Sequence, residues 1–277
     1  MNQLRMAAPV SVLLLALTAP SIGQTTEDTP KDSFTSTMQA PSQVSNAAVT
    51  PGERQLSGEE MGDLFMARKQ YREATDTYKR LADENPSNAV YLNKLGIALH
   101  QQTALNLALK YYQRAVKADP QYADAENNIG TIWYQRKKYG KAIRAYQKAI
   151  KMRDGMPVLY SNLGYAYFSN GKYQESIGAF RTALTLDPQF FERGASRTGS
   201  VLQDRSVSDR GRFYFLLAKS FAEAGNNERC ILYLRKAKEE GYTSIGDVKK
   251  DPAFAAVLND PEVVSLLAPK APESTQP

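Results

Sequence analysis

Residues 123–156 read ADAENNIGTIWYQRKKYGKAIRAYQKAIKMRDGM, and the spacing inside them recurs on both sides. Gly130 stands 34 residues after Gly96 and 34 before Gly164, and Gly62 extends the series one step further. Each glycine follows an apolar residue (Met61, Leu95, Ile129, Leu163) and precedes a large apolar residue by three positions (Phe65, Leu99, Trp133, Tyr167). Twelve positions past the glycine sits a small residue, Ala74, Ala108, Ala142 or Ser176, and four beyond that an aromatic ring, Tyr78, Tyr112, Tyr146 or Phe180. Leu81, Ala115, Ala149 and Ala183 follow, and Pro86, Pro120 and Pro188 close three of the units; in the third, Asp154-Gly155 with Pro157 takes that place. A residue without bulk lets two antiparallel helices approach, and a large ring fills the space left between neighbouring pairs.

Four such strings in phase resemble the tetratricopeptide repeat, a 34-residue helix-turn-helix unit with the pattern L-G-x2-Y, A-x3-F and a closing Pro. The resemblance implies an all-α solenoid of stacked antiparallel helix pairs, a superhelix in which each pair buries its apolar face on the next. The expected repeats are 55–88, 89–122, 123–156 and 157–190. A fifth helical hairpin at 211–244 follows from Leu217-Ala218, Phe221, Gly225, Cys230, Leu234 and Ala237, with Ala218 at the glycine position and Cys230 at the small-residue position. Between them, residues 191–210 are an insertion into the repeat pattern, either a solvated linker or a loop projecting from a binding face. Asp251-Pro252 and Asp260-Pro261 each pair a capping residue with a first-turn proline. They predict short C-terminal capping helices within 245–267, with Phe254, Val257, Leu258, Val263, Val264, Leu266 and Leu267 inward.

Outside the array, residues 1–23 read as a signal peptide: Arg5, an apolar run from Val10 to Ala19, and small residues before Gln24. The apolar run is shorter than the roughly 20 residues needed to span a bilayer. Residues 24–54 are a polar linker too poor in apolar positions to offset ordering entropy, and 268–277 is a polar tail. Cleavage of the signal, the single cysteine and the absence of Asn-x-Ser/Thr sequons together predict a periplasmic or secreted bacterial protein. Without Arg5 the charge is 34 basic against 29 acidic residues, about +5.

The inventory for chemistry is poor, and no enzyme is expected. One histidine and one cysteine are present, with no G-x-S-x-G, P-loop, G-x-G-x-x-G or H-E-x-x-H spacing, so no catalytic residue, metal site or cofactor is assigned. Binding is what the resemblance implies. In the family, positions two, five, six, nine, twelve and thirteen of each first helix line a groove. Carried onto this chain, the second repeat presents Val90, Asn93, Lys94, Ile97, His100 and Gln101, and the third Asp124, Asn127, Asn128, Thr131, Tyr134 and Gln135. The fourth adds Val158, Ser161, Asn162, Tyr165, Phe168 and Ser169. Amides pair with both the N–H and the C=O of a peptide backbone and aromatics supply apolar pockets, so the expected partner is a protein or an extended peptide. Asn128 and Asn162 resemble the asparagine ladder some family members use to hold a peptide main chain, while the Lys and Arg of the family's chaperone clamp are absent.

Charge supplies a second feature. From Arg136 to Arg153 there are eight basic residues and no acidic one, and Lys141, Arg144, Lys148 and Lys151 form a helical stripe on the outer face. Such a stripe suits anionic lipid or an acidic partner if it is more than a solvated face. Export disfavours nucleic acid. The leading reading is an adaptor of the bacterial envelope; the alternatives are an accessory subunit of an envelope enzyme and an anionic-surface binder.

Overall fold

The computed structural model describes residues 55–191 and 209–268. The expected signal segment, the linker, most of the insertion and most of the tail lie outside these residues. The helices come in pairs: α1 (Gly58–Ala67) with α2 (Tyr71–Glu84), α3 (Ala89–Gln101) with α4 (Leu105–Ala118), α5 (Ala123–Gln135) with α6 (Tyr139–Met152), α7 (Pro157–Ser169) with α8 (Tyr173–Leu186), and α9 (Arg210–Glu223) with α10 (Asn227–Glu239). Each pair is a hairpin stacked on the next, so the fold is an all-α solenoid. Two 3₁₀ turns, Ile245–Lys249 and Pro252–Val257, and a short helix α11 (Pro261–Leu266) close its C-terminal end. No described helix is long and apolar enough to cross a membrane.

The periodic residues explain the pairing. On α6, Ala142, Ile143, Ala145, Tyr146 and Ala149 are buried, an i, i+1, i+3, i+4, i+7 stripe that gives the helix one apolar face. The Tyr146 ring lies over the first helix of its own hairpin, and a Cβ placed on Gly130 would stand 2.5 Å from it. The same geometry joins Gly96 to Tyr112 and Gly164 to Phe180, each at 2.5 Å, and Gly62 to Tyr78. The aromatics therefore fill the hairpin itself as well as the space between hairpins. In the fifth hairpin both partners change together, since Ala218 replaces the glycine and the slimmer Leu234 replaces the ring, and both are buried. Phe213 carries the stack across the insertion: its ring lies 5.1 Å from Tyr165 and nearly parallel to it, and edge-on to Phe180 at 5.7 Å.

Turn chemistry is periodic as well. Lys69, Thr103 and Lys137 adopt positive φ of 59, 61 and 56°, and Gly171, next in the 34-residue series, has φ 76°. Gly225, with φ 77°, takes the same place in the fifth hairpin, so three of the five hairpins put a side chain in the left-handed region, which costs an L-residue roughly 1–2 kcal/mol. At the C-terminal end, Asp251 accepts the amide N–H of Ala253 and Asp260 that of Glu262, so both expected caps form. The first capping piece is a 3₁₀ turn rather than an α-helix. Phe254, Val257 and Val263 are buried and Leu258, Leu266 and Leu267 half-buried, but Val264 is 57% exposed and corrects the inward assignment. On a helix this short, Val263 takes the inward direction and its neighbour points roughly 100° away.

Two substitutions of opposite sign test this account in urea or thermal denaturation. Gly130→Leu should cost about 1–3 kcal/mol or more, as overpacking does, because the buried Tyr146 ring has nowhere to go. Thr103→Gly should gain about 0.5–1 kcal/mol, the relief of left-handed strain less the extra freedom of the unfolded chain. An unchanged Gly130→Leu variant would remove the contact from its central place.

Candidate functional site

The odd-numbered helices carry every residue expected to line the groove. α3 starts at Ala89 behind an Asn88 side chain that accepts the amide N–H of Val90 and Tyr91, and α5 and α7 repeat its 13-residue length. Equal lengths and a 34-residue period keep equivalent positions level from one hairpin to the next.

Two rows of side-chain contacts cross between consecutive odd-numbered helices, and each joins residues 35 apart. In the first row the Lys94 ammonium sits 2.7 Å from a Glu59 carboxylate oxygen. One repeat on, the Asn128 amide donates to Asn93 Oδ1 at 2.9 Å, and one further the Asn162 amide donates to Asn127 Oδ1 at 2.9 Å. The second row lies two helical turns along: His100 Nε2 meets Gln135 Oε1 at 3.0 Å, and the Tyr134 and Ser169 hydroxyls meet at 2.7 Å. The first row stops at Ser161. Its hydroxyl is fully buried with no hydrogen-bond partner, and the residue at the next rung is Leu216, which has nothing to donate.

This arrangement changes the expected lining. Gln101 and Gln135 are exposed, and Ile97, His100 and Ser169 are half-buried. Asn93, Asn127, Asn128, Thr131, Tyr134, Ser161, Asn162, Tyr165 and Phe168 are all buried. Asn128 and Asn162 have no exposed surface and each commits an amide N–H to the preceding repeat. The two side chains thus bridge one repeat to the next, and neither presents the surface that the peptide-gripping reading calls for. Thr131 bonds the Asn127 carbonyl and the Tyr146 hydroxyl at 3.2 Å each, tying the third hairpin together across its middle.

The titratable groups follow from burial. His100, expected in the groove lining, packs between Gln135 and the Tyr112 hydroxyl at 3.3 Å, and desolvation holds its imidazole below the usual range. Cys230 is buried and its thiol is pushed up to about 12, so it behaves as a small hydrophobe. Among the described residues no cluster of three or more His, Cys, Asp or Glu side chains is placed to hold a metal ion.

On the even-numbered layer, Lys141, Arg144, Lys148 and Lys151 are all exposed on one side of α6, as their spacing required. Lys148 also reaches inward to the buried Glu126 carboxylate at 3.0 Å. Lys141 lies over the Trp133 ring at 4.5 Å with Arg136 against it at 5.4 Å, an arrangement sequence reasoning missed. The staples were missed as well, although the 35-residue offsets Asn93/Asn128 and Asn127/Asn162 were in plain view.

Family-level comparison places tetratricopeptide repeats at residues 157–190 and, with a second tetratricopeptide repeat family, at 60–123 and 105–157. No curated protein matches the chain. Among solved structures, the crystal structure of MamA is 22% identical, with 67% of this chain and 97% of that chain covered and a TM-score of 0.47. MamA 41-end from Desulfovibrio magneticus RS-1 is 17% identical over 66% of this chain and 92% of that one, again at 0.47.

The staples yield a stability test. Asn128→Ala or Asn162→Ala should each cost about 1–3 kcal/mol, because a buried amide oxygen on the preceding repeat loses its donor. Ser161→Ala removes a hydroxyl that has no partner and should be neutral or stabilising. Chemical denaturation of the three variants decides, and asparagine variants as stable as the parent would return those residues to the role of ligand contacts.

Proposed function

We propose that the tetratricopeptide repeats at residues 60–190 form a protein-interaction scaffold whose odd-numbered helices hold a partner protein or an extended peptide in the bacterial envelope. The observation that carries this reading is the tandem array itself. Its first-helix layer is braced by its own side chains and offers Gln101, Gln135, Ile97 and His100 at or near its surface. A braced layer loses little further freedom on binding, which is how preorganisation raises affinity. Two exposed glutamines supply donors and acceptors for a peptide backbone, and Ile97 supplies apolar area. No catalytic constellation competes for the same residues. The signal-like start, residues 1–23, supports export with a mature chain beginning near Gln24.

Two measurements test the two halves of this proposal. For location, mass spectrometry of protein released by osmotic shock should find an N-terminus near Gln24; an intact Met1 in a membrane fraction sinks export of a soluble form. For binding, the partner captured from an envelope extract is titrated against Gln101→Ala/Gln135→Ala. Two lost hydrogen bonds of about 0.5–1.5 kcal/mol each predict roughly five- to a hundredfold weaker affinity, with any fall in melting temperature confined to the loss of the His100–Gln135 contact and reproduced by Gln135→Ala alone. Equal affinity in parent and variant moves the contact surface off this layer.

A further inference from the structure

The even-numbered layer carries a charge pattern that the groove does not use. α4 reads LNLALKYYQRAVKA and α6 reads YGKAIRAYQKAIKM, and neither contains an acidic residue. The flanking helices differ: α2 interleaves Glu73, Asp76, Asp83 and Glu84 with its basic residues, and α8 has only Arg181 against Glu175. The repeat period aligns the cations of α4 and α6 in three rows, Lys110 with Arg144, Arg114 with Lys148, and Lys117 with Lys151. In the adjoining repeats the same rows hold Asp76, Arg80 and Asp83 on one side and Gly178, Thr182 and Thr185 on the other. A bounded cationic plate therefore covers repeats two and three.

Most of this charge is not used inside the molecule. Lys148 meets Glu126, and the Arg114 guanidinium lies on the Tyr111 ring at 5.1 Å. Lys110, Lys117, Arg144 and Lys151 are exposed, and among the described residues none pairs with a carboxylate. Like charges at helical spacing repel one another, so the plate disfavours the folded array until an anion approaches. At one edge the plate is apolar. Leu107, which occupies the position of Lys141 one repeat earlier, is 51% exposed. Beside it Arg136 bonds Asn106 at 2.6 Å while resting on the half-buried Trp133.

We propose that this face of repeats two and three docks on an anionic phospholipid surface, leaving the odd-numbered layer turned toward its partner. The chemistry favours lipid. Counting Lys141, five of the seven cations of α4 and α6 are lysines, which act as point charges on flexible stems and need no bidentate acceptor at a fixed place. A headgroup layer offers single negative charges without fixed register, and an exposed Leu with a Trp amid cations is the composition that settles at the interface. The proposal is independent of the groove, and variants of Gln101 and Gln135 leave it untouched.

Sedimentation of the full chain with vesicles tests it, using neutral phosphatidylcholine and phosphatidylcholine containing phosphatidylglycerol, at low and physiological salt. The readout is the ratio of partitioning onto anionic over neutral vesicles, in which any contribution of the apolar N-terminal run cancels. Each basic residue near an anionic surface is worth about fivefold in partitioning. Lys110→Gln/Lys117→Gln/Arg144→Gln/Lys151→Gln should therefore lower the ratio by roughly two orders of magnitude or more at unchanged helicity. Arg68→Gln/Lys172→Gln/Lys249→Gln/Lys250→Gln, with the same change in net charge on exposed positions elsewhere, should lower it far less. Salt should weaken the parent and hardly affect the first variant. A parent that does not prefer anionic vesicles, two variants that fall equally, or tighter binding to polyglutamate or duplex DNA than to vesicles at the same salt overturns the assignment.

Discussion

The contact on which the array depends is that of an aromatic ring with a glycine sixteen residues before it. A helix that presents only backbone at Gly130 lets the Tyr146 ring lie flush against it, and a single added carbon would stand 2.5 Å from that ring. The small residue between them is part of the same constraint. Ala142 and its equivalents are buried, and where the residue is Ser176 its hydroxyl donates to the Gly164 carbonyl at 2.9 Å, so the polar substitution stays satisfied. Because the contact closes a hairpin of local sequence, each unit is specified before its neighbours are consulted. Stacking then needs only equal helix lengths and equal turns, which the 34-residue period supplies. The fifth hairpin shows that the constraint concerns volume rather than residue identity, since Ala218 is accommodated where the ring has become Leu234.

A second constraint sets how the hairpins meet. Residues 35 apart stand face to face on adjacent odd-numbered helices, and two chemistries occupy three successive rungs of one row: the Lys94–Glu59 ion pair and then two asparagine pairs. The progression follows burial. Glu59 and Lys94 keep 38% and 23% of their side-chain surface, whereas Asn128 and Asn162 keep none. A charge pair survives beside water, but in the middle of the array desolvation would cost more than the pairing returns, and neutral amides make the same bridge without it. At the insertion the rung becomes Ser161 opposite Leu216, and packing of Phe213 on Tyr165 takes over the junction.

Much of this was legible in the sequence because both the hairpin and its period are local properties of the chain. The glycine, the small residue and the ring declare themselves by spacing, and so did the two aspartate-proline caps. What stayed hidden needs the relative rotation of neighbouring helices. Asn128 reads equally well as a rung for a foreign peptide and as a rung for the preceding repeat, because both want an amide on the inner side of the helix. Only the level alignment of Asn128 with Asn93 separates the two. Val264 was misplaced for a related reason: two adjacent valines on a six-residue helix cannot both face one side. Trp133 looked like core alone, and its hold on Arg136 and Lys141 depends on a turn whose Lys137 is left-handed.

The division of labour between the two layers follows from the same packing. Stapling draws the polar side chains of the odd-numbered helices into rungs between repeats, so their freedom to vary is limited to exposed positions outside the rungs, such as Gln101. The even-numbered helices bury alanines and rings on one face and leave the other to solvent, where substitution costs little. Surface charge can therefore differ from repeat to repeat without disturbing the stack, which is why α2 is mixed, α4 and α6 are cationic and α8 is nearly neutral. In α4 and α6 the charges line up because the period that aligns glycines with rings aligns every other position too. A single Lys on an isolated helix would be ordinary solvated surface, but the repeat makes the same residue a row.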